Sequence, residues 1–391
     1  MFFVDKPYIS DLFKKTVRDH AIPVVGTDTA QASSLYPGTT IISEDRAIAM
    51  ARESGEIPIY TISENSIGWI AKHLAFSVLP EKIDLFKNKL KFRELTRPLF
   101  PDFFFKGVRS EELRAVRFDE IPLPFIIKPA VGFFSMGVHK VSSHTEWNRT
   151  VDSLTAETDR LRGIYPEEVF NAGSFIIEQC IEGEEYAVDA FFTATGEPVI
   201  AGIFKHVFSS DADVSDRVYL SSKKIIESNL EEFTGFIGSI GTLAGVKTFP
   251  MHIELRRNAA GALLPIEVNP MRFGGWCSTP DMTTLAYGVN PYVCYYTQKK
   301  PDWPAALRGK EGKLFSLIVL DNPTGISGDR ISSFDYEKLL TRFEKPVELR
   351  RIDYTKYPVF GFLFTETGED NFKELENILV SDLSEFITIS A

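Results

Sequence analysis

Short runs of β-branched and aromatic residues alternate with helical stretches along the first 84 residues of the chain. The pattern predicts these elements in chain order: strands at 22–25 and 39–42, a helix at 45–53 and a strand at 58–62. Because strands that alternate with helices usually pair in parallel, we predict a parallel α/β domain over residues 1–84. The turn at Gly26 lacks the further glycines of a dinucleotide-binding fingerprint, so no nucleotide site is predicted there.

Strand–turn–strand patterns dominate the middle of the chain. A lysine-rich helix predicted from 83 onwards ends beside Pro98, and two strand–turn–strand segments follow at 125–141 and 174–189. A long helix is predicted at 230–243 and a hairpin at 252–269. The middle of the chain is therefore predicted to mix hairpins with helices.

A proline- and glycine-containing linker at 301–312 precedes a last set of elements. Their predicted order is a strand at 314–320, a helix at 336–343, strands at 347–354 and 359–365, and a helix at 371–386. This β-α-β-β-α order predicts a small C-terminal α+β lobe over residues 301–391.

Composition narrows the class of protein. The chain has 391 residues, of which 44% are hydrophobic and 25% charged, as in globular proteins with several lobes. No apolar run approaches 18 residues, and the three cysteines form neither a disulfide framework nor a zinc pattern, so we expect a cytoplasmic protein without a membrane partner. A formal net charge of −11 argues against a nucleic-acid partner.

The predicted hairpin at 252–269 carries candidate metal ligands. Glu267 and Asn269 lie two residues apart in one strand, so their side chains point to the same side. The turn at 258–261 brings Glu254 in the preceding strand opposite them. Carboxylate and amide oxygens are the ligands that Mg²⁺ accepts beside phosphates, with Mn²⁺ as the alternative ion. A solvated antiparallel hairpin has the same pattern, and the residues alone leave both interpretations open.

The segment 125–141 has the features of a phosphate-binding cover. A strand delivers Lys128, and a loop with Gly132, Ser135 and Gly137 then reverses the chain, so that backbone N–H groups and a compact positive charge can bind anionic oxygens. The strand–loop–strand order excludes a P-loop, which leads into a helix. An ordinary hairpin with a lysine at its edge is the alternative.

Two further segments offer polar groups at strand ends. The turn after Glu178 presents backbone groups up to Ile181 that could read a purine edge, and Glu185 lies where a ribose diol needs an acceptor; any acidic hairpin has the same pattern. Lys205 precedes a polar run at 209–217 that is typical of a binding loop, and Arg217 ends this run. We therefore predict that both cations contact phosphate or substrate.

The ordered set Lys128, Glu185, Glu254, Glu267 and Asn269 resembles the ATP-grasp superfamily of ATP-dependent carboxylate–amine ligases over residues 85–300. The resemblance implies a grasp module of two α+β lobes that clasp ATP. Residues 85–122 would form its first part, 123–193 the ATP-lid subdomain and 194–300 the metal-binding and catalytic part. The domain at 1–84 would be the one that commonly precedes the module.

The resemblance also implies roles for single residues. Lys89 and Lys128 would contact ATP phosphates beneath the loop containing Gly132, Ser135 and Gly137. Glu178 and Ile181 would flank the adenine, Glu185 would bind the ribose, and Glu254, Glu267 and Asn269 would hold Mg²⁺. Arg272 resembles the arginine beside the transferring phosphate, and with Lys205 and Arg217 it completes the predicted catalytic residues. Met271 departs from the family pattern, because many members have Asn-Pro-Arg where this chain has Asn-Pro-Met-Arg.

The activity implied by the resemblance is ligation with release of ADP and phosphate. ATP would convert a carboxylate, plausibly that of an amino acid or small metabolite, into an acyl phosphate that an amine attacks. Two alternatives stay open: a bicarbonate-activating enzyme like biotin carboxylase, and an ATP-sensing subunit without turnover. We expect small-molecule carboxylate and amine substrates as partners, and a homodimer is an open option.

Overall fold

The computed structural model describes residues 1–132, 137–161, 171–210, 213 and 215–389, and its first part is the expected parallel α/β unit. The elements of this unit follow in chain order: β1 (Phe2–Phe3), α1 (Asp11–Asp19), β2 (Val24–Val25), α2 (Asp28–Ala32), β3 (Ile41–Ile42), α3 (Glu44–Ser54), β4 (Tyr60–Thr61), α4 (Ile67–His73), α5 (Leu79–Lys87) and α6 (Lys89–Thr96). The strands pair in parallel in the order β3-β2-β1-β4. The parallel sheet predicted from the sequence is confirmed, although β1 was not among the predicted strands.

The predicted lysine-rich helix is two helices, because Asn88 interrupts it. Asn88 has an extended backbone, and its side chain accepts hydrogen bonds from the N–H groups of Leu90 and Lys91, which caps α6. The break changes the direction of the chain between Lys87 and Lys89. Both lysines are buried, rather than lying on a solvated face.

A small antiparallel sheet follows. Its elements are β5 (Phe105–Arg109), β6 (Phe125–Val131), β7 (His139–Val141), α7 (His144–Leu161) and β8 (Asn171–Gln179). The strand order is β5-β8-β6-β7, and Trp147 of α7 packs edge-on against Phe125 of β6. The pairing of β6 with β7 confirms the two strands predicted in the segment that contains Lys128.

A large antiparallel sheet forms the centre of the molecule. The elements from β9 to α10 are β9 (Glu184–Phe192), β10 (Pro198–Val207), β11 (Val218–Ser222), α8 (Lys223–Ala244), β12 (Phe249–Arg257), β13 (Leu263–Pro270), α9 (Ser278–Tyr287) and α10 (Pro291–Thr297). Helix α8 covers one face, where Phe233 packs edge-on against Tyr186. The helix is longer than predicted, since Ser222 caps its start and Gly245 adopts the left-handed conformation at its end.

The C-terminal part extends the same sheet. Its elements are α11 (Trp303–Ala306), β14 (Lys313–Asp321), β15 (Ile331–Phe334), α12 (Tyr336–Leu340), β16 (Pro346–Arg351), β17 (Val359–Gly368), α13 (Lys373–Val380) and β18 (Ile387–Ile389). Among the described residues the large sheet has eight strands in the order β13-β12-β9-β10-β11-β14-β17-β16, and β15 pairs with β18 separately. The C-terminal strands β14, β16 and β17 therefore share a continuous backbone hydrogen-bond network with β9 to β13.

Candidate active site

Polar and ionisable side chains gather on the face of the large sheet opposite α8. Side chains alternate between the two faces of a strand, and the strands pair so that these residues come level with one another. The residues on this face are Glu185 and Asp189 of β9, His206 of β10, Tyr219 of β11, His252, Glu254 and Arg256 of β12, and Glu267 and Asn269 of β13. The register alone therefore builds a polar surface from five neighbouring strands.

Glu254 and Glu267 are direct partners across the β12–β13 hairpin. Lys89, at the start of α6, holds Glu267 with an Nζ–Oε2 distance of 3.0 Å. Burial alone would raise the pKa of Glu267, but Lys89 and Lys128 outweigh it and lower that pKa to about 2. Burial and the facing carboxylate of Glu267 raise the pKa of Glu254 well above its usual value. Glu267 is thus paired directly with a lysine, whereas the cationic or ionisable group that the described residues place nearest to Glu254 in an ion pair is His252, with Nε2 4.0 Å from Oε1.

This hairpin offers a donor set that fits Mg²⁺. Asn269 lies beside Glu267, with its Nδ2 3.4 Å from Oε1, and pairs across the hairpin with His252. Two carboxylates and an amide are enough for Mg²⁺, which takes its other ligands from phosphates and water. A divalent cation between Glu254 and Glu267 would also relieve their repulsion. Within the described residues no group of three His, Cys, Asp or Glu side chains is close enough to bind a metal by itself.

Lys128 lies in a buried charge cluster with Glu178. Its Nζ is 2.6 Å from Glu178 Oε1, and Arg93 Nε donates to Oε2 of the same carboxylate at 2.7 Å. Arg93 also donates to the carbonyl of Pro265 in β13, at 2.6 Å. Burial opposes ionisation of Glu178, but Arg93 and Lys128 lower its pKa to about 2. The cluster joins the small sheet, α6 and the Glu254–Glu267 hairpin.

The entry to the glycine loop is close to two lysines. Lys87 and Lys89 approach the carbonyl oxygen of Gly132, at 3.3 and 3.5 Å. At the other end of the loop Gly137 has φ +69°, a conformation that favours glycine. Ser135, which was predicted to contact phosphate, lies outside the described residues.

Glu185 is held by two cationic or ionisable partners. Its Oε1 is 2.9 Å from His206 Nδ1, and its Oε2 accepts from Arg256 Nε at 2.8 Å. Arg256 also donates to the carbonyl of Ile181, which ties the turn after Glu178 to β12. The predicted roles of Glu178 and Ile181 beside the adenine, and of Glu185 at the ribose, remain predictions.

Arg272 reaches the same region in spite of the extra residue before it. Met271 is fully buried with φ +67°, an uncommon conformation for a side chain of this size, and it turns the chain after Pro270. The Arg272 guanidinium then contacts Glu64 of the N-terminal unit, with Nη2 2.8 Å from Oε1. Glu64 also pairs with Lys87 through its other oxygen.

Two of the predicted catalytic cations lie elsewhere. Lys205 precedes His206 in β10 and so projects from the opposite face, where it pairs with Glu184. Arg217 is buried between the β11 entry and the C-terminal elements, with Nη2 2.6 Å from Asp321 and donation to the carbonyl of Ile378. The structure does not bring either side chain to the Glu254–Glu267 hairpin, which corrects their prediction as catalytic residues.

The structure adds residues that the sequence did not single out. Glu64 and Lys87 enter the site from the N-terminal unit and the end of α5. Asp189 is fully buried and lies 2.7 Å from His252 Nδ1, while it accepts from Gly274 N and Thr279 Oγ1. The alternation of β9 and β12 could have indicated Asp189 and His252, whereas no local pattern marks Glu64.

Comparison with known proteins identifies the domain that carries this site. Residues 121–280 match the family model of the ATP-grasp domain, in agreement with the resemblance found in the sequence. Over these residues the chain is therefore similar to ATP-grasp domains. No curated protein sequence matches the chain.

Several solved structures share the fold of the whole chain. One is an L-amino acid ligase from Bacillus licheniformis, 16% identical with a TM-score of 0.68, covering 100% of this chain and 98% of that one. Another is an N5-carboxyaminoimidazole ribonucleotide synthetase from Thermotoga maritima, with 13% identity, a TM-score of 0.62, and coverage of 100% and 99%. At these identities the likeness shows the fold, which is that of the ATP-grasp ligases.

A third similar structure is the biotin carboxylase domain dimer of the Hydrogenobacter thermophilus 2-oxoglutarate carboxylase, in complex with MgADP, ADP and bicarbonate. It is 14% identical with a TM-score of 0.60, and the likeness covers 100% of this chain and 90% of that one.

None of the helices in the described ranges is long and apolar enough to cross a membrane.

Proposed function

We propose that this chain, which is similar to ATP-grasp domains over residues 121–280, is an ATP-dependent ligase that activates a carboxylate as an acyl phosphate for attack by an amine. The observation that carries the proposal is the Glu254–Glu267 pair facing across one hairpin with Lys89 on Glu267. The lysines and arginines around it supply the positive charge that a triphosphate needs. ADP and phosphate are the other products.

The chemistry requires charge neutralisation and positioning more than covalent catalysis by the protein. Glu254, Glu267 and Asn269 would hold Mg²⁺, which when bound would neutralise charge on the phosphate oxygens. Lys89 and Lys128 would contact the phosphates, and each is buried next to a carboxylate that fixes its position. Arg272 would stabilise the charge that develops as the γ-phosphoryl group leaves for the substrate carboxylate.

We propose an amino acid as the activated carboxylate. The support is the likeness in fold, over the full length of both chains, to an L-amino acid ligase. The acyl phosphate formed from such a substrate would be attacked by the amine of a second small molecule, and the phosphate would leave from the tetrahedral intermediate. Enclosure of the site would protect the acyl phosphate from water.

A bicarbonate-activating enzyme is the second candidate, favoured by the similarity to a biotin carboxylase domain and to carboxyaminoimidazole ribonucleotide synthetases. In that case the acyl phosphate would form from bicarbonate. A subunit that senses ATP without turnover is the third candidate. The presence of all three predicted metal ligands, Glu254, Glu267 and Asn269, argues against it.

A turnover screen distinguishes these functions. The purified protein is incubated with MgATP and pairs of L-amino acids or small amines, with and without bicarbonate, and ADP and phosphate release are measured. Release that needs one carboxylate–amine pair and no bicarbonate is the expected result. Release that depends on bicarbonate supports the second candidate, and tight ATP binding with no release under any condition supports the third.

We also propose that the chain divides into domains at residues 84, 122, 193 and 300, and that it assembles as a homodimer. The likeness to a biotin carboxylase domain crystallised as a dimer supports the homodimer. Light scattering at micromolar concentration tests it: twice the mass of 44.0 kDa is expected, and a monomer at all concentrations would contradict it.

A further inference from the structure

We propose that Glu64 of the N-terminal unit is a positioning residue for the ligase reaction. Its carboxylate would hold the guanidinium of Arg272 and the ammonium of Lys87 at the place where the γ-phosphoryl group is transferred. This inference rests on the proposed function. It assigns a part in the reaction to a domain whose sequence carries no nucleotide motif.

Two cations converge on the carboxylate of Glu64. The side chain is 9% exposed, and its two oxygens hold different cations: Oε1 accepts from Arg272 Nη2 at 2.8 Å, and Oε2 pairs with Lys87. Lys87 also donates to the carbonyl of Gly132, at the entry to the glycine loop. A single buried carboxylate therefore fixes two cations that reach it from α5 and from the end of β13.

The backbone on either side of Arg272 is hydrogen-bonded to the N-terminal unit. Thr61 N donates to the carbonyl of Met271 at 2.8 Å, and Phe273 N donates to the hydroxyl of Tyr60 at 3.2 Å. The residues before and after Arg272 are thus bound to β4, the strand that leads into the turn containing Glu64. The same short segment of the N-terminal unit holds the backbone and the side chain of Arg272.

Met271 is an extra residue before Arg272 compared with an Asn-Pro-Arg sequence. With one residue more after Asn269-Pro270, the arginine would be displaced from its place beside the hairpin if the strand simply continued. Met271 instead turns the chain with φ +67° and buries its own side chain in the core. This conformation costs free energy in a residue with a β-carbon, and the contacts with Tyr60, Thr61 and Glu64 hold it in place. We infer that they exist to keep Arg272 in the site.

The test compares Glu64→Gln with Asp84→Asn as a matched control. Both changes remove one negative charge next to a lysine of α5 or α6, but Asp84 pairs with the exposed Lys91 and does not contact Arg272. For Glu64→Gln we expect a kcat at least about ten-fold below that of wild type. A misplaced Arg272 guanidinium should lower the rate of phosphoryl transfer far more than it weakens nucleotide binding. The Kd for MgADP, which lacks the γ-phosphoryl group, should stay within about two-fold of wild type.

A purely structural role for Glu64 would lower kcat and MgADP affinity together, or lower neither, and either result overturns the proposal. If Glu64→Gln does not fold, Glu64→Asp decides, because the shorter carboxylate keeps the charge and cannot reach both cations: reduced kcat with normal MgADP binding is expected, and wild-type kcat overturns the proposal.

A crystal structure of the Glu64→Gln protein separates this inference from the proposed function. Should wild-type protein show no turnover with any substrate pair, the ligase proposal fails, and the position of Arg272 still tests the role of Glu64. We expect the guanidinium to leave its place beside residue 64, and an unchanged Arg272 would overturn the inference.

Discussion

Glu254 and Glu267 lie directly opposite each other in one hairpin, yet within the described residues only Glu267 forms an ion pair with a lysine. The pKa of Glu267 is lowered to about 2 because Lys89 and Lys128 outweigh the effect of burial. The pKa of Glu254 is raised well above its usual value by burial and by Glu267. An unbalanced pair of this kind is the arrangement that a divalent cation would complete, and it is the basis of the proposed ATP site.

Loss of Lys128 should weaken nucleotide binding without unfolding the protein. In Lys128→Met the buried Glu178 keeps Arg93 as its partner, so the carboxylate is not left alone. We expect the KM for ATP to rise by about ten-fold or more, which corresponds to roughly 1.4 kcal/mol of binding free energy. Steady-state kinetics measure this effect, and circular dichroism checks the fold. A KM equal to that of wild type would remove Lys128 from the phosphate site.

The ion pairs of Glu178 should make the free energy of unfolding depend on pH. Its pKa is about 2 in the folded protein and 4.5 as an ordinary value, since Arg93 and Lys128 overcome the effect of burial. A lowered pKa stabilises the fold above about pH 4.5, and this contribution, about 3 kcal/mol at most, is lost as the pH falls from there towards 2. Urea unfolding of wild type and Glu178→Gln between pH 5 and 3 measures it, and the variant should show the weaker pH dependence.

The matched control for this experiment is Glu112→Gln. Glu112 is exposed and pairs with Arg109, which lowers its pKa through a contact that solvent screens, so its removal should change the pH dependence much less than Glu178→Gln does. Equal slopes for wild type and Glu178→Gln would contradict the assignment of a stabilising charge cluster at Glu178.

Lys205 and Arg217 should behave as structural residues. Lys205→Gln should leave kcat within about two-fold of wild type, because the side chain lies on the face away from the hairpin and its pair with Glu184 is partly exposed. Arg217→Ala should lower the unfolding free energy by about 3 kcal/mol, since it leaves Asp321 without its buried partner. Kinetics and urea unfolding measure the two effects. A large loss of kcat in Lys205→Gln would restore the catalytic role that the sequence suggested.

Two glycines of α8 provide a test of the packing beneath the site. A β-carbon at Gly241 would lie 2.0 Å from the ring of Phe192 in β9, whereas one at Gly235 would meet nothing within 4 Å. Gly241→Ala should therefore destabilise the protein by about 1 to 3 kcal/mol. Gly235→Ala should stabilise it by up to about 1 kcal/mol through helix propensity. Thermal unfolding of both variants measures the difference, and equal shifts in Tm would show that α8 does not pack as described.

The sequence predicted the parts of the site that depend on local geometry. Glu254 and Glu267 could be paired because a short turn at 258–261 fixes the hairpin, and the Lys128 strand was recognised by its glycine-containing loop. The face on which Lys205 projects could not be predicted, because both faces of β10 are buried and give no polar–apolar alternation. Glu64 and Arg272 are 208 positions apart in the sequence, and Arg217 and Asp321 are 104 positions apart. No local sequence pattern predicts contacts over such separations.

The most direct test of the central claim is ADP release by Glu267→Gln compared with wild type, in the presence of Mg²⁺, ATP and the substrate pair identified by the screen. The change keeps the size of the side chain and removes the charge that Lys89 and the metal would share. We predict release that depends on both substrates in wild type and a loss of at least about a hundred-fold in the variant, with the fold retained. Release at the wild-type rate by Glu267→Gln would contradict the assignment of this hairpin as the metal site of an ATP-dependent ligase.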